Sequence, residues 1–152
     1  MAKRSTEIER KWLVNDSPDL SKQKGAKIIQ GYIAVCPEGV EIRVRGLGAR
    51  FFETIKTGEG LQRGEIEIEL SRKQFKSLWR ATRGKRLEKI RYRLKWQGHK
   101  IELDVYKKPM ADLVVAEVEF KSRKQAAKFS PPSWFGREVT EDEKYKNAML
   151  AS

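Results

Sequence analysis

The sequence predicts a mainly β protein of the α+β kind, an antiparallel sheet flanked by a few short helices. Three observations predict it. Six segments alternate apolar and charged residues with the two-residue period of a strand. Glycine-containing turns join several of them directly, as in hairpins. Only three stretches pair a helix-start signal with a following apolar stripe. The 152 residues suit one domain spanning 1–152, and no internal repeat or linker divides them.

The first strand runs from Glu7 to Val14, with Glu7, Glu9 and Lys11 on one face and Ile8, Arg10 and Trp12 on the other. Ser17 to Gly25 is rich in turn residues, and Ile28 to Val35 forms a second strand. Glu41 to Gly46 alternates again, Glu41, Arg43 and Arg45 opposing Ile42 and Val44. The Gly-Leu-Gly-Ala segment from Gly46 turns it back into Phe51 to Lys56. After a turn at Gly58 and Gly60, Glu65, Glu67 and Glu69 alternate with Ile66, Ile68 and Leu70. Ser71 with Gln74 makes a capping box for a helix whose stripe is Phe75, Leu78 and Trp79 and which ends near Gly84.

Glu88 to Lys95 and Ile101 to Tyr106 form a hairpin around a Gln-Gly-His turn. Its charged faces carry Lys89, Arg91 and Arg93 on one strand and Glu102 and Asp104 on the other. In Leu113 to Phe120, Glu117 and Glu119 oppose Ala116, Val118 and Phe120. Ser122 with Gln125 starts a short helix to Phe129, and Pro131 and Pro132 interrupt. Thr140 with Glu143 opens an expected last helix that runs to the end, with Tyr145 and Met149 on one face.

A formal charge of +12 concentrates polyanions near the surface, and nucleic acid, polyphosphate, nucleotides and acidic membranes all fit. Residues 71 to 100 hold twelve Lys or Arg against the single acid Glu88. No run of 18 apolar residues occurs and none follows the basic start, so the expectation is a cytoplasmic protein without a membrane span or secretory signal. Cys36 is the only cysteine, which excludes an internal disulfide and a cysteine-built metal site. His99, the only histidine, falls in a turn and is expected at the surface. The glycines around Thr57 to Gly64 lack the order of a phosphate-binding loop.

Strands with one charged face admit two arrangements. The charged faces meet water while the apolar faces pack as a sandwich, or the helices cover the apolar outside of a barrel and the charges point inward. A charged interior has to hold water, metal or an ionic ligand, because unpaired buried charge is very costly. Glu7 with Glu9 and Glu117 with Glu119 place carboxylates in pairs on one face. Glu65, Glu67 and Asp104 add further oxygen donors of the kind that hard divalent cations need. Lys11, Arg43, Arg45, Lys56, Lys89, Arg91 and Arg93 occupy the same charged phase and have the chemistry to grip phosphoryl oxygens.

The opening EIERKWLV resembles the signature of the CYTH domain, the triphosphate tunnel metalloenzyme family. The similarity continues in order through EIRVR, TIK, RGEIEIEL, EKIRYR, IELDVY, VVAEVEF and GREVTEDEKYKN. It implies a closed eight-stranded antiparallel β-barrel with flanking helices, whose tunnel binds a triphosphate. It implies Glu7, Glu9, Glu117 and Glu119 as metal ligands, joined by Asp104 and by Glu65 or Glu67. Lys11, Arg43, Arg45, Lys56, Lys89 and Arg91 are implied to bind phosphate, with Arg93 continuing their phase and Lys144 near the tunnel mouth.

The implied cofactors are two Mg²⁺ or Mn²⁺ ions, one held by Glu7, Glu117 and Glu119 and the other involving Glu9 or Glu67. Glu7, Glu9, Lys11, Lys89, Glu117 and Glu119 form the implied catalytic set. Among family members the chain looks most like short bacterial enzymes that hydrolyse inorganic tripolyphosphate to pyrophosphate and phosphate. Nucleoside and thiamine triphosphatases are alternatives. Class IV adenylate cyclases are disfavoured, because GYIAVCPEG stands where that subgroup carries a His-Phe motif. The rival of a different class is a non-catalytic polyphosphate- or nucleic-acid-binding module, against which both Glu-x-Glu pairs speak.

Overall fold

The computed structural model describes residues 2–151. Its strands are β1 (Lys3–Leu13), β2 (Ala26–Val35), β3 (Glu41–Leu47), β4 (Arg50–Thr57), β5 (Gln62–Leu70), β6 (Arg86–Trp96), β7 (His99–Tyr106) and β8 (Val114–Phe120). All pairings are antiparallel, and the sheet closes in the order β1-β5-β4-β3-β2-β6-β7-β8. Closure depends on β1, which pairs with β5 from Lys3↔Glu67 to Ile8↔Gln62 and with β8 from Ile8↔Phe120 to Leu13↔Val115. A sheet closed in this way leaves no bare edge.

The helices lie outside and cover the apolar phase, which decides between barrel and sandwich. Helix α1 (Arg72–Trp79) starts at the expected capping box: Ser71 accepts from the Gln74 amide, and Gln74 Oε1 accepts from the Ser71 amide. Its Phe75 packs with Val44, Phe51 and Leu70, and Ile29, Ile33 and Ile68 flank them. Helix α2 (Arg123–Lys128) and the loop behind it set Ala126, Phe129, Trp134 and Phe135 over Ile8, Trp12, Ile101, Leu103, Val118 and Phe120. Burying each such side chain contributes roughly 1.5–3 kcal/mol before the entropy of ordering it. With that phase turned outward, its charged alternates point into the barrel.

Arg10 is a cation in the middle of β1's apolar phase, between Ile8 and Trp12, and the structure shows why it is there. Its guanidinium donates to both carboxylate oxygens of Glu138 and, from Nη1, to the carbonyl of Ala126, tying α2 and the late loop to the same strand. His99 begins β7 rather than sitting free in a turn, and its ring meets Phe120 and Phe129 edge-on at 5.5 and 5.1 Å.

The last segment differs from the expected continuous helix. A 3-10 turn (Glu143–Tyr145), capped by Asp142 rather than Thr140, precedes the four-residue helix α3 (Asn147–Leu150). Thr140 is engaged elsewhere: its Oγ1 accepts from the Lys11 amide at 3.0 Å and donates to Glu138 at 2.6 Å. Backbone bonds from Gly136 to Leu13 and from Val139 to Lys11 hold this stretch along β1. The chain then turns under the barrel, where Ala148 and Ala151 pack with Tyr32, Leu87, Tyr106 and Val115. By strand alternation Leu87 and Val115 share the inward phase of Lys89 and Glu117, so the C-terminal segment closes one end of the lumen.

Candidate active site

Barrel order sorts the charges into two walls that sequence order keeps apart. Strands β8, β1 and β5 are neighbours and carry Glu117, Glu119, Glu7, Glu9, Glu65 and Glu67. Across from them, β4, β3, β2 and β6 supply Lys56, Arg43, Arg45, Tyr32, Lys89, Arg91 and Arg93. Between them lies a cavity of about 230 Å³. Lys11 and Arg63, on the acidic wall, and Glu41, on the basic one, cross the pattern.

Depth is legible along β6. Its successive inward side chains Lys89, Arg91 and Arg93 are 1%, 9% and 50% exposed. The lumen therefore opens at the end holding Arg93, Glu69 and Glu119 and closes where Ala148 and Ala151 pack.

At the inner end Asp104 is fully enclosed. Arg91 reaches it with a two-pronged contact, Nε to Oδ1 at 2.7 Å and Nη2 to Oδ2 at 2.8 Å, and Lys89 Nζ lies 2.7 Å from Oδ2. Burial by itself would raise the Asp104 carboxyl, but the two cations hold it below the usual range. Burial dominates at Lys89: one carboxylate shared with Arg91 does not make up for lost solvent, and the ammonium is pulled down to about 8. The expectation of Asp104 as a metal ligand meets a different placement here. It stands behind the cationic wall, does not line the cavity, and has both oxygens engaged in orienting Lys89 and Arg91.

The acidic wall is crowded. Burial, and then Glu117 and Glu7, push the Glu9 carboxyl well above its usual range, and Glu65 and Glu119 are raised by burial and then by Glu7. Glu7 and Glu117 go the other way. Burial opposes their ionisation, but Lys56 beside Glu7, and Lys11, Lys89 and Arg91 around Glu117, keep both ionised. Lys56 Nζ is 2.9 Å from Glu7 and 3.8 Å from Glu65. Lys11 Nζ stands 3.5 Å from Glu117 Oε1, an oxygen that is buried without a hydrogen-bond partner.

Among the described residues no three acidic, His or Cys side chains already converge to enclose a cation. The donor set nevertheless suits one: oxygen donors only, several of them mutually repelling, with lysines beside them as counter-charges.

On the basic wall Arg43 is buried and Arg45 partly so, and the Nε of each is buried without a hydrogen-bond partner. Burial, and then Arg43 and Arg91, lower Arg45 to about 10, despite Glu67 3.6 Å away. Lys144, expected near the mouth, is exposed on the 3-10 turn and does not line the cavity. Lys146 does, paired with Glu143 at 2.7 Å.

Sequence reasoning also left Tyr32, Arg63, Glu102, Thr140 and Asn147 unassigned, all of which line the cavity. Arg63 and Glu102 share the charged phase of Glu65 and Asp104, so alternation alone could have found them. Tyr32 lies in an apolar run and gave no such signal.

No protein-family model matches the chain. An inorganic triphosphatase from Nitrosomonas europaea is 46% identical to it over 147 residues, which is 96% of this chain and 97% of that protein. A second inorganic triphosphatase, from Acetivibrio thermocellus, is 34% identical over 146 residues, covering 95% and 92% of the two chains. The crystal structure of the inorganic triphosphatase NE1496 superposes with a TM-score of 0.70 at 43% identity, over 95% of this chain and 93% of the other.

Proposed function

Because this chain belongs to the CYTH, or triphosphate tunnel, family of the bacterial inorganic triphosphatases, we propose that it hydrolyses inorganic tripolyphosphate to pyrophosphate and phosphate with divalent cations. The two-walled lumen carries the proposal. Nine cationic side chains (Lys11, Arg43, Arg45, Lys56, Arg63, Lys89, Arg91, Arg93, Lys146) and eight carboxylates (Glu7, Glu9, Glu41, Glu65, Glu67, Glu102, Glu117, Glu119) line it. A wall so nearly balanced suits a polyanion that brings its own cations better than a bare anion, which would leave the acids repelling it.

The inorganic substrate follows from what the lumen lacks. Apart from Tyr32, Leu47, Gly60 and Leu61, its lining is polar or charged among the described residues, and a base or a thiamine ring would find little to stack on. The closed inner end favours a short chain over one that threads through.

In this reading the phosphoryl oxygens lie along the basic wall. Arg43 and Arg45 present unused donors there, and Lys89 and Arg91 are braced from behind by Asp104. Glu7, Glu9, Glu117 and Glu119 on the opposite wall, with Glu65 and Glu67 beside them, would hold Mg²⁺ or Mn²⁺. Such ions screen the phosphate charge and lower the proton affinity of bound water. A water oxygen bonds to the terminal phosphorus and loses a proton, and the anhydride bond to the pyrophosphate breaks. Lys11, Lys56 and the arginines neutralise the charge that moves onto the leaving oxygens.

Phosphate release from tripolyphosphate by the pure protein, with Mg²⁺ or Mn²⁺ added, tests this. The expected result is metal-dependent turnover that Glu117→Gln lowers about 10²–10³-fold without unfolding the barrel. No turnover with either metal would leave a binding module in place of an enzyme.

A further inference from the structure

We propose that the outer face of α1 is a second anion site, which holds long-chain inorganic polyphosphate on the outside of the barrel. Arg72, Lys76 and Arg80 follow one another at four-residue spacing, and Lys73 lies beside them. Together with Ser77 these four cations line an open groove. No acid lies within ion-pair distance of any of the four among the described residues, whereas Arg50 pairs with Glu69, Lys27 with Glu88 and Arg137 with Asp142; other unpaired surface lysines, Lys22, Lys95 and Lys124 among them, do not line this groove. The arrangement works against the helix itself. Like charges one turn apart repel, the first turn holds no acid, and Arg72 and Lys73 sit at the positive end of the helix dipole. Lys76 and Arg80 at the other end suit the dipole, but the repulsion along the row and the placement of Arg72 and Lys73 fit a surface whose counter-charge comes from a ligand.

The chemistry of the groove points to bare phosphate. The aromatic rings nearby are turned inward, Phe51 on Phe75 at 4.6 Å and Phe75 on Trp79 at 5.2 Å. Their outer sides are covered by cations: Arg72 lies over Phe51 and Arg86 over Trp79. Bases of a single-stranded nucleic acid therefore find no open ring to stack on. Nor does the helix expose a large apolar side chain to enter a lipid surface; the exposed ones among the described residues are Val35 and Met149, both elsewhere. A repeating chain of phosphates needs only the cations.

The groove is separated from the lumen by the wall of β3, β4 and β5, and α1 begins at the end of the barrel where the lumen opens. Both sites can be filled at once. Binding at the groove stands whether or not the lumen hydrolyses anything.

The test is binding of labelled long-chain polyphosphate with a metal chelator present, so that no turnover occurs and the acid-lined lumen lacks the cations its own binding depends on. The triple variant Arg72→Glu, Lys76→Glu, Arg80→Glu is expected to bind about tenfold more weakly or worse, with tripolyphosphate hydrolysis unchanged. The control Lys121→Glu, Lys124→Glu, Lys128→Glu makes the same charge change on α2 and the bend before it, and is expected to bind nearly as the unaltered protein does. Equal weakening in both variants would reduce the effect to overall charge and overturn the site. Tighter binding of RNA with the same number of phosphates, or of phosphatidylserine vesicles, would overturn the assigned ligand. If charge reversal unfolds the protein, the Gln versions of the three substitutions give the same reading.

Discussion

Lys56 donates a hydrogen bond from Nζ to Glu7 Oε1 across 2.9 Å and so links the basic wall to the acidic one. Both side chains are largely buried, at 12% and 15% exposure. Removing one partner of such a pair leaves uncompensated charge and costs about 3 kcal/mol. Lys56→Met is therefore expected to lower the melting temperature of metal-free protein and to enlarge the stabilisation given by added Mg²⁺ or Mn²⁺, which would replace the missing charge beside Glu7 and Glu65. Thermal melts with and without metal check this. An unchanged metal increment would remove Glu7 from the cation site.

Asp104→Asn keeps the shape of the inner end but leaves Lys89 and Arg91 facing a neutral amide in a place without solvent. The expected loss is about 3–5 kcal/mol in urea unfolding. Wild-type stability in this variant would show that the two cations are held by something other than Asp104.

The raised Glu9 carboxyl makes stability depend on pH with a definite sign. Its folded-state value lies above its ordinary 4.5, so the folded protein holds a proton that the unfolded chain has released, and stability falls as pH rises through that window. Glu9→Gln is expected to raise the melting temperature of metal-free protein at neutral pH. That advantage closes below pH 4.5, where both states are protonated, while metal-dependent turnover falls about 10²-fold. Lys89 gives a second slope. Lowered to about 8 from 10.5, it binds fewer protons folded than unfolded between those values, so its contribution to stability rises with pH there. Lys89→Met should remove that rise.

Gly31 on β2 is where the 3-10 turn Arg80–Thr82 docks. A Cβ at Gly31 would lie 2.6 Å from both Cβ and Oγ1 of the buried Thr82. Gly31→Ala is expected to cost about 1–3 kcal/mol, measured by chemical denaturation, and Thr82→Ala in the same chain should recover part of it.

The alternation of Glu65, Glu67 and Glu69 with Ile66, Ile68 and Leu70 was enough to place a strand and both its faces, because a period of two leaves few other readings. Ser71 and Gln74 likewise marked the start of α1. Thr140 and Glu143 carried the same local signal and misled, since a threonine hydroxyl committed to the Lys11 amide no longer caps a helix; that competition is tertiary and has no trace in spacing. Which way the charged faces point was settled by the family resemblance and by the helices lying on the apolar side, not by periodicity. Asp104 shows the remaining limit. Its position on the charged phase was legible, but its place behind Lys89 and Arg91 depends on how far each side chain stands from the open end, and sequence does not encode depth.

β1 lies between β5 and β8, with Ile8 facing Gln62 on one side and Phe120 on the other. Apart from the β2–β6 pairing, the remaining ladders join strands consecutive in the chain, so they can form with short loop closures. Both ladders of β1 need distant partners, and such pairings form slowly. Until β1 docks, β5 and β8 present bare edges that can pair with a neighbouring molecule. The strand that carries Glu7, Glu9 and Lys11 is thus also the one whose arrival protects the chain from aggregation. Substitutions that weaken its register should reduce the yield of soluble protein before they change the behaviour of the molecules that do fold.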